Sequence, residues 1–309
     1  MDLSIMISNN TDSANKTTDC PELKIPHEIF LAIGVLSLGE NLLVVVAVIW
    51  NRNLHSPMYC FICNLAAFNT MSSLTKAWET VMLAFRDAGH LDSRGRSETS
   101  VDDVMDTLVC MSFLGSIFTF LAIAVDRYIT IFHALRYHTL MTMRRALVIL
   151  ATIWALCGSA GTLMINFFEK VVVKILFIAF FFIALFLILL LYVHMFLLAR
   201  YHAAKIAALP GSGARQRSSG MRSALTLTIL FGVFVACWAP FFLHLLIIMV
   251  CPQNPYCECY RSLFELHVIL LMSHAVIDPA IYAFRSAELR HTFKKMFLCS
   301  SVSLRRQRL

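Results

Sequence analysis

The chain is poor in charge, glycine and proline. Only 15% of its 309 residues are charged, and it contains 11 Gly and 8 Pro. These shortages exclude a disordered chain and a collagen-like repeat, and 10 Cys in a chain of this length exclude a disulfide-dense mini-protein. The hydrophobic fraction is 59%, well above the roughly 45–50% of soluble domains. This excess predicts that much of the chain faces lipid.

Sequence patterns that support catalysis are also missing. There is no Gly-rich loop of the kind that cradles phosphate, no zinc-spaced His pair and no nucleophile elbow, which argues against an enzyme. A transporter is the other membrane class to weigh. It is disfavoured because the sequence has no internal repeat and its acidic residues gather toward one side of the membrane rather than at the midplane.

Seven apolar runs are each long enough to cross a hydrocarbon core, which takes about 20 helical residues. One helix through the fourth and fifth runs would exceed twice the core thickness, so the chain must turn near Glu169. The sequence therefore predicts an all-α membrane protein built as a seven-helix bundle. The predicted spans are Ile29–Trp50, Met58–Phe85, Val104–Ile131, Ala146–Phe168, Val171–Ala199, Ala224–Val250 and Leu263–Phe284.

Charge bias predicts the orientation. An external amino terminus places about twice as many Lys and Arg residues in the inner segments as in the outer ones. It also places the glycosylation acceptors Asn9 and Asn15 outside. The first 26 residues lack a basic-then-apolar leader, so we expect no cleaved signal peptide. We predict an external tail (1–26), a plasma-membrane bundle (27–285) and a cytoplasmic amphipathic helix and tail (286–309).

The inner segments carry a large positive excess. We interpret it as an orientation signal and as contact with anionic membrane lipids, not with nucleic acid. The third inner loop, residues 208–221, is rich in Gly and Ser and is expected to be flexible. Ser218 and Ser219 follow basic residues in it and are weak candidates for phosphorylation. Cys299 ends a basic amphipathic stretch and is a candidate for palmitoylation.

Four cysteines fall in outer segments: Cys20, Cys251, Cys257 and Cys259. An even number in an oxidising compartment predicts two disulfides, and the spacing leaves three possible pairings. A zinc site between Cys251 and Cys259 is an alternative that two prolines in that loop disfavour. The outer segments are net acidic, so a basic extracellular ligand would be attracted to them.

Three short motifs close or kink individual spans. Arg127 beside Asp126 forms an ion pair whose partner can be exchanged when helices move, and Pro240 kinks a helix with Trp238 at the pivot. With Asn41 and Trp154, the set resembles the rhodopsin-like G-protein-coupled receptors. The motif residues, which we predict to form the activation switch, are Asp126, Arg127, Tyr128, Trp238, Pro240, Asp278, Pro279 and Tyr282.

Within those receptors the chain resembles the melanocortin receptors. The shared features are the lack of Cys between Arg86 and Val104, the very short second outer loop, Asp278 where most relatives have Asn, and the Cys251–Cys259 run. Residues 128–138 and 192–200 resemble the adrenocorticotropin-binding, or type 2, branch.

The resemblance implies a receptor that detects adrenocorticotropin and raises cyclic AMP through a stimulatory G protein. It also implies a single-span melanocortin receptor accessory protein as a partner. The alternative is a melanocortin receptor of broader selectivity for melanocyte-stimulating hormones.

The predicted ligand site begins with three carboxylates. Asp102 and Asp106 are four apart and share a helix face, and Glu79 lies in the outer third of the second span. Such groups repel one another unless a cation binds between them, and the resemblance implies that this cation is calcium. The alternative is that the three carboxylates are simply solvated charges at the outer mouth of the bundle. It also implies a peptide with a His-Phe-Arg-Trp core, whose Arg pairs with Asp102 and Asp106. Its aromatic side chains would meet Phe241, Phe242, His244 and Phe264.

One residue departs from the wider receptor pattern. Asn69 stands where relatives carry an Asp that binds sodium. A neutral amide at this position puts sodium regulation in doubt, although Asp278 keeps one carboxylate in the same region.

Overall fold

The computed structural model describes residues 25–87, 96–133, 136–167, 170–207, 214–251, 260 and 262–306. Nearly all of them are helical. The α-helices are α1 (His27–Trp50), α2 (Pro57–Asp87), α3 (Arg96–Phe132), α4 (Tyr137–Leu140), α5 (Met143–Phe167), α6 (Val171–Ala207), α7 (Ala214–Val250), α8 (Phe264–Arg285) and α9 (Ala287–Arg306). A short 3-10 helix, Arg52–Leu54, joins α1 to α2.

Seven long helices correspond to the seven predicted spans, which confirms the bundle. Six of the described helices are long and apolar enough to cross a membrane by length and composition alone. The exception, α2, carries Asn64, Asn69 and Lys76. It packs between α1 and α3, so these polar side chains have protein neighbours that can satisfy their hydrogen bonds.

The predicted turn near Glu169 is confirmed. Helix α5 ends at Phe167 and α6 begins at Val171. The Lys170 amide donates to the Phe167 carbonyl at 3.0 Å, and the Lys170 ammonium lies 5.2 Å from the centre of the Phe167 ring. The second outer connection is therefore only a few residues long.

The lipid-facing surface is clearest on α6. Leu176 and Leu197 are 62% and 60% exposed in the isolated chain. Phe181, Ile188 and Met195 are buried at intervals of seven residues, so they form one stripe that faces the bundle. A helix with apolar residues on both faces can be stable only where its exposed side meets hydrocarbon.

A polar ladder fixes α3 against α2 and α5. The Trp154 indole donates to the Asn64 side-chain carbonyl, and the Asn64 amide donates to the Thr119 hydroxyl, both at 2.8 Å. Phe68 stacks on Trp154 with ring centres 4.5 Å apart. These contacts set the position of α3, which carries the predicted acidic residues at its outer end.

The amphipathic helix after the seventh span is present as α9. Leu289 on its apolar face is fully buried. The Tyr59 hydroxyl donates to Glu288 at 2.9 Å, and the Asn51 amide donates to Thr292 at 2.7 Å. The helix is thereby held against the inner ends of α1 and α2.

The prediction of a flexible third inner loop is wrong for part of its length. Residues 208–213 lie outside the described residues, but α7 begins at Ala214. Residues 214–221 are therefore helical, because Arg and Gln are good helix formers and no proline follows Pro210 in this stretch.

Candidate functional site

The outer acidic group lies on α2 and α3. Glu79 and Asp106 are both partly buried, and the charge of Glu79 acts on Asp106 from the adjacent helix. The backbone of Asp102 lies in the outer part of α3, whereas its side chain is outside the described residues. The structure therefore brings two of the three predicted carboxylates into one cluster.

A cation that the sequence analysis did not include belongs to this cluster. The Lys76 ammonium is 2.6 Å from Glu79 Oε2, and it also acts on the charge of Asp106. The side chain of Lys76 is 15% exposed and that of Glu79 is 36% exposed. The i,i+3 spacing of the two residues was the signal that could have identified this pair.

The carboxylates suit calcium by their chemistry, because it prefers hard oxygen ligands. Glu79 and Asp106 supply such oxygens, although Lys76 already contacts one oxygen of Glu79. Among the described residues no three potential metal ligands converge. The side chain of Asp102, the third predicted ligand, is outside the described part of the structure.

The predicted aromatic contacts meet between α7 and α8. Phe264 lies 6.0 Å from Phe241 and 5.7 Å from His244, measured between ring centres, and Phe242 is 5.6 Å from Phe241. Phe241, Phe242 and His244 are buried. All four predicted residues therefore belong to one outer aromatic cluster.

Two further rings belong to the same outer aromatic cluster. The His244 ring centre lies 5.0 Å from Tyr260 and 4.9 Å from His267. His267 Nδ1 makes a 2.6 Å hydrogen bond with the Leu263 carbonyl. Sequence reasoning missed His267, although it is three residues from Phe264 and so shares its helix face.

A deeper ring contact joins the outer aromatic cluster to Trp238. Phe242 stacks on Phe181 with ring centres 3.8 Å apart and planes 11° apart. Phe113 lies 4.9 Å from Phe242 and 4.6 Å from Trp238. Trp238 also meets His274 edge-on at 5.1 Å. Movement of Phe242 would therefore disturb the packing around Trp238.

Below this level lies a buried polar centre. The Asn69 amide donates to Asp278 at 3.2 Å and to Asn41 at 3.3 Å, and the Asn41 amide donates to the Ala275 carbonyl at 2.8 Å. Asn69 Oδ1 and Asp278 Oδ1 accept no hydrogen bond from any described residue. Pro279 lies inside α8, next to Asp278.

The inner end of α3 carries the predicted charged pair. Arg127 Nε lies 3.7 Å from the Asp126 carboxylate, and Asp126 is 1% exposed. The Tyr137 hydroxyl donates to Asp126 at 3.0 Å. Burial, together with the Asp126 carboxylate, raises the pKa of Tyr137 to about 12, so the hydroxyl stays protonated at neutral pH.

Three other predicted switch residues lie in described helices. The Tyr128 ring stacks on His194 with ring centres 5.9 Å apart. Tyr282 is buried, 4% exposed. Pro240 lies inside α7, two residues after Trp238.

Most of the predicted modification sites, or their side chains, lie outside the part of the chain that the structure describes. Cys251 is disulfide-bonded, which excludes it as a zinc ligand in this structure. The other outer cysteines and the glycosylation acceptors lie outside the described residues: Cys20, Cys257, Cys259, Asn9 and Asn15. Cys299, Ser218 and Ser219 lie in described helices, but their side chains are not described.

Comparison with known proteins gives a consistent result. The chain matches the family described as 7 transmembrane receptor (rhodopsin family) over residues 40–175 and 162–282. It is 52% identical over 278 residues to melanocortin receptor 4 of Danio rerio, covering 90% of this chain and 85% of that protein.

Two other relatives are similarly close. Melanocortin receptor 5 of Homo sapiens is 50% identical over 286 residues, covering 92% of this chain and 88% of that protein. Melanocortin receptor 3 of Mus musculus is 48% identical over 288 residues, with 92% and 89% covered. The protein is a multi-pass membrane receptor and not an enzyme. The chain belongs to the melanocortin receptors, within the rhodopsin family of seven-helix G-protein-coupled receptors.

Proposed function

We propose that the protein is a plasma-membrane receptor for adrenocorticotropin that activates a stimulatory G protein and so raises cyclic AMP. The observation that carries the proposal is the pairing of an acidic group on α2 and α3 with the outer aromatic cluster on α7 and α8. A peptide with a His-Phe-Arg-Trp core needs both, because its cationic guanidinium pairs with carboxylates and its rings pack on aromatic side chains. The net acidic outer segments suit the basic tract of adrenocorticotropin.

Calcium is part of the proposal. Glu79 and Asp106, with Asp102, would hold the ion, which supplies positive charge that lets the carboxylates lie together beside a peptide. The carboxylates then orient the guanidinium of the peptide. The rings of Phe241, Phe242 and Phe264 exclude water around its apolar side chains.

Activation would follow from ring repacking. A peptide that displaces Phe242 changes the contacts of Trp238, at the kink beside Pro240. The inner part of α7 can then move away from α3, where Arg127 exchanges its Asp126 contact for the G protein. Peptide binding favours the state in which α7 has moved only to the extent that the peptide binds that state more tightly than the resting state.

A broader melanocortin receptor, answering the shorter melanocyte-stimulating hormones, is the second candidate. It is favoured by the roughly 50% identity to relatives named melanocortin receptor 3, 4 and 5. The resemblance of the inner segments to the type 2 branch favours adrenocorticotropin and a melanocortin receptor accessory protein.

The test is a cyclic AMP assay in receptor-null cells, with and without the accessory protein. Full-length adrenocorticotropin is compared with its amino-terminal melanocyte-stimulating fragment. A response to the full hormone that needs the accessory protein is expected. A full response to the fragment without that protein would establish the broader receptor instead.

The acidic group can be tested in the same cells. Neutralising Asp102 and Asp106 together should abolish the peptide response while surface expression stays normal. Asp103→Asn is the matched control, since Asp103 is an exposed neighbour on α3. An unchanged dose response in the double variant would remove the acidic site from the proposal.

A further inference from the structure

A groove in the membrane-facing surface lies between α3 and α6. Its volume is about 510 Å³, and the residues that line it include Ile117 and Ile188, which are buried. Ile183, Leu187 and Leu190 also line it and are among the exposed apolar side chains of α6. Pockets for small molecules usually have volumes of about 300–1,000 Å³. The groove is therefore large enough for a small molecule that enters from the hydrocarbon.

Two ring contacts between α3 and α6 mark the length of the groove. Phe118 and Phe180, which both line it, have ring centres 5.9 Å apart. Fourteen residues after Phe180, His194 lines the groove and stacks on Tyr128 of α3, with ring centres also 5.9 Å apart. The helical rise converts this separation along α6 into about 21 Å. One leaflet with its headgroup region is about 20–22 Å thick, so the groove has the length of one leaflet.

The polar end of the groove lies at the inner side of the membrane. Among the described residues that line the groove, His194 is the only one with a polar side chain. It is exposed, and it lies three residues before Leu197, where the apolar span of α6 ends. An imidazole can both donate and accept a hydrogen bond. The matching ligand is an apolar molecule that carries one small polar group at its inner end.

We propose that this groove binds a membrane sterol from the inner leaflet, with the sterol hydroxyl on the His194 imidazole and the fused rings on Ile117, Ala184 and Ile188. A sterol is rigid, so it loses little conformational entropy on binding, whereas a phospholipid acyl chain would have to be ordered. A helix of another protein is about 10–12 Å across and would occupy roughly three times the volume of the groove over the same length.

A bound sterol would connect the inner leaflet to the predicted activation switch. It would contact α3 and α6 together, and its hydroxyl would hold His194, whose ring stacks on Tyr128. Tyr128 follows Arg127 in the chain, at the inner end of α3. The sterol therefore stabilises the arrangement of α3 and α6 seen in this structure. The inference does not depend on which peptide the receptor binds.

The test uses purified full-length receptor in lipid nanodiscs, labelled with a tritiated photoreactive cholesterol analogue and competed with unlabelled cholesterol. Saturable labelling of wild-type receptor is expected in residues 117–121 or 180–194. Ala184→Phe should abolish it, because Ala184 is half-buried in the groove lining and a phenyl ring there fills the sterol position. Ala151→Phe is the matched control, since Ala151 is exposed on α5 and is not among the lining residues. It should label like wild type.

A second variant tests the polar end without filling the groove. His194→Phe keeps a ring that can stack on Tyr128 but removes both nitrogens. It should weaken competition by cholesterol about threefold to tenfold, the effect of one hydrogen bond. The methyl ether of cholesterol has no hydroxyl proton, so it should compete less well than cholesterol on wild-type receptor. On His194→Phe the two competitors should be equal, because the group that distinguishes them is gone.

Each outcome supports or overturns the sterol site. Absence of saturable labelling in wild-type receptor overturns it and leaves phospholipid acyl chains as the occupant of the groove. Labelling that survives in Ala184→Phe, or that is lost equally in Ala151→Phe, places the sterol elsewhere and also overturns it. If Ala184→Phe shows no cooperative unfolding transition, the competitors decide: equal competition by cholesterol and its methyl ether on wild-type receptor overturns the assignment of His194.

Discussion

Gly115 on α3 is the position where one added methyl group should do the most damage. A Cβ at this residue would lie 2.3 Å from Phe68 Cζ and 2.4 Å from its two neighbouring ring carbons. Ordinary carbon contacts are about 3.5–4.0 Å, so the ring would have to move by more than 1 Å. Phe68 is fully buried and its ring is stacked on Trp154, which leaves it no open side.

The size of the effect follows from that confinement. Overpacking a well-packed core costs about 1–3 kcal/mol, and the Gly115→Ala clash belongs near the upper end because the obstacle is a whole aromatic ring. A loss of about 3 kcal/mol lowers the ratio of folded to unfolded receptor about 150-fold. Displacement of Phe68 would also pull Trp154 away from Asn64, which anchors α3.

Heat inactivation of detergent-solubilised receptor measures the loss. Gly39→Ala is the matched control, because a Cβ at Gly39 meets nothing within 4 Å. Replacing Gly by Ala in a helix normally stabilises by about 1 kcal/mol. Phe68→Leu should partly restore the Gly115→Ala receptor. The reasoning is refuted if Gly115→Ala survives heating as well as Gly39→Ala does, or if Phe68→Leu gives no recovery.

Three further substitutions test the inner and central contacts. Asp126→Asn should raise basal cyclic AMP several-fold at equal surface expression, because Arg127 loses its charged partner 3.7 Å away. Tyr137→Phe should raise it less, because only the 3.0 Å hydrogen bond to Asp126 is lost. Asn69→Asp should lower thermal stability in choline chloride and restore it in sodium chloride, because a second carboxylate then lies beside Asp278. Equal stability in both salts would contradict this last prediction.

The seven helices were predictable because the bilayer imposes a minimum length on every apolar run. Helix α2 shows the limit of that argument. Its polar residues make it less apolar than the other spans, so composition alone does not identify it as one. It can nevertheless cross the membrane because α1 and α3 pack on either side of it. The third inner loop shows the opposite error, since a composition typical of linkers was overridden by helix-forming residues from Ala214 onward.

The candidate site was predictable in its residue types but not in its contacts. Helical spacing places Asp106 on a face of α3, but it does not state which side chain of α2 lies opposite. The structure also shows Lys76 in contact with Glu79, a pair within α2 that its i,i+3 spacing alone could have indicated. Phe181 could not be identified in this way, because the rotation of α6 about its own axis depends on packing with neighbours distant in sequence.

The distribution of polar contacts explains why a small ligand can switch a large apolar bundle. Packing between apolar helices in lipid has many nearly equivalent arrangements, so the few polar and ring contacts decide which one is occupied. The contact of Lys76 with Glu79 and the stack of Phe242 on Phe181 are two of these contacts. Under the proposed function, a peptide with its own cation and aromatic rings would compete for both contacts, and its binding would favour a different arrangement of the helices.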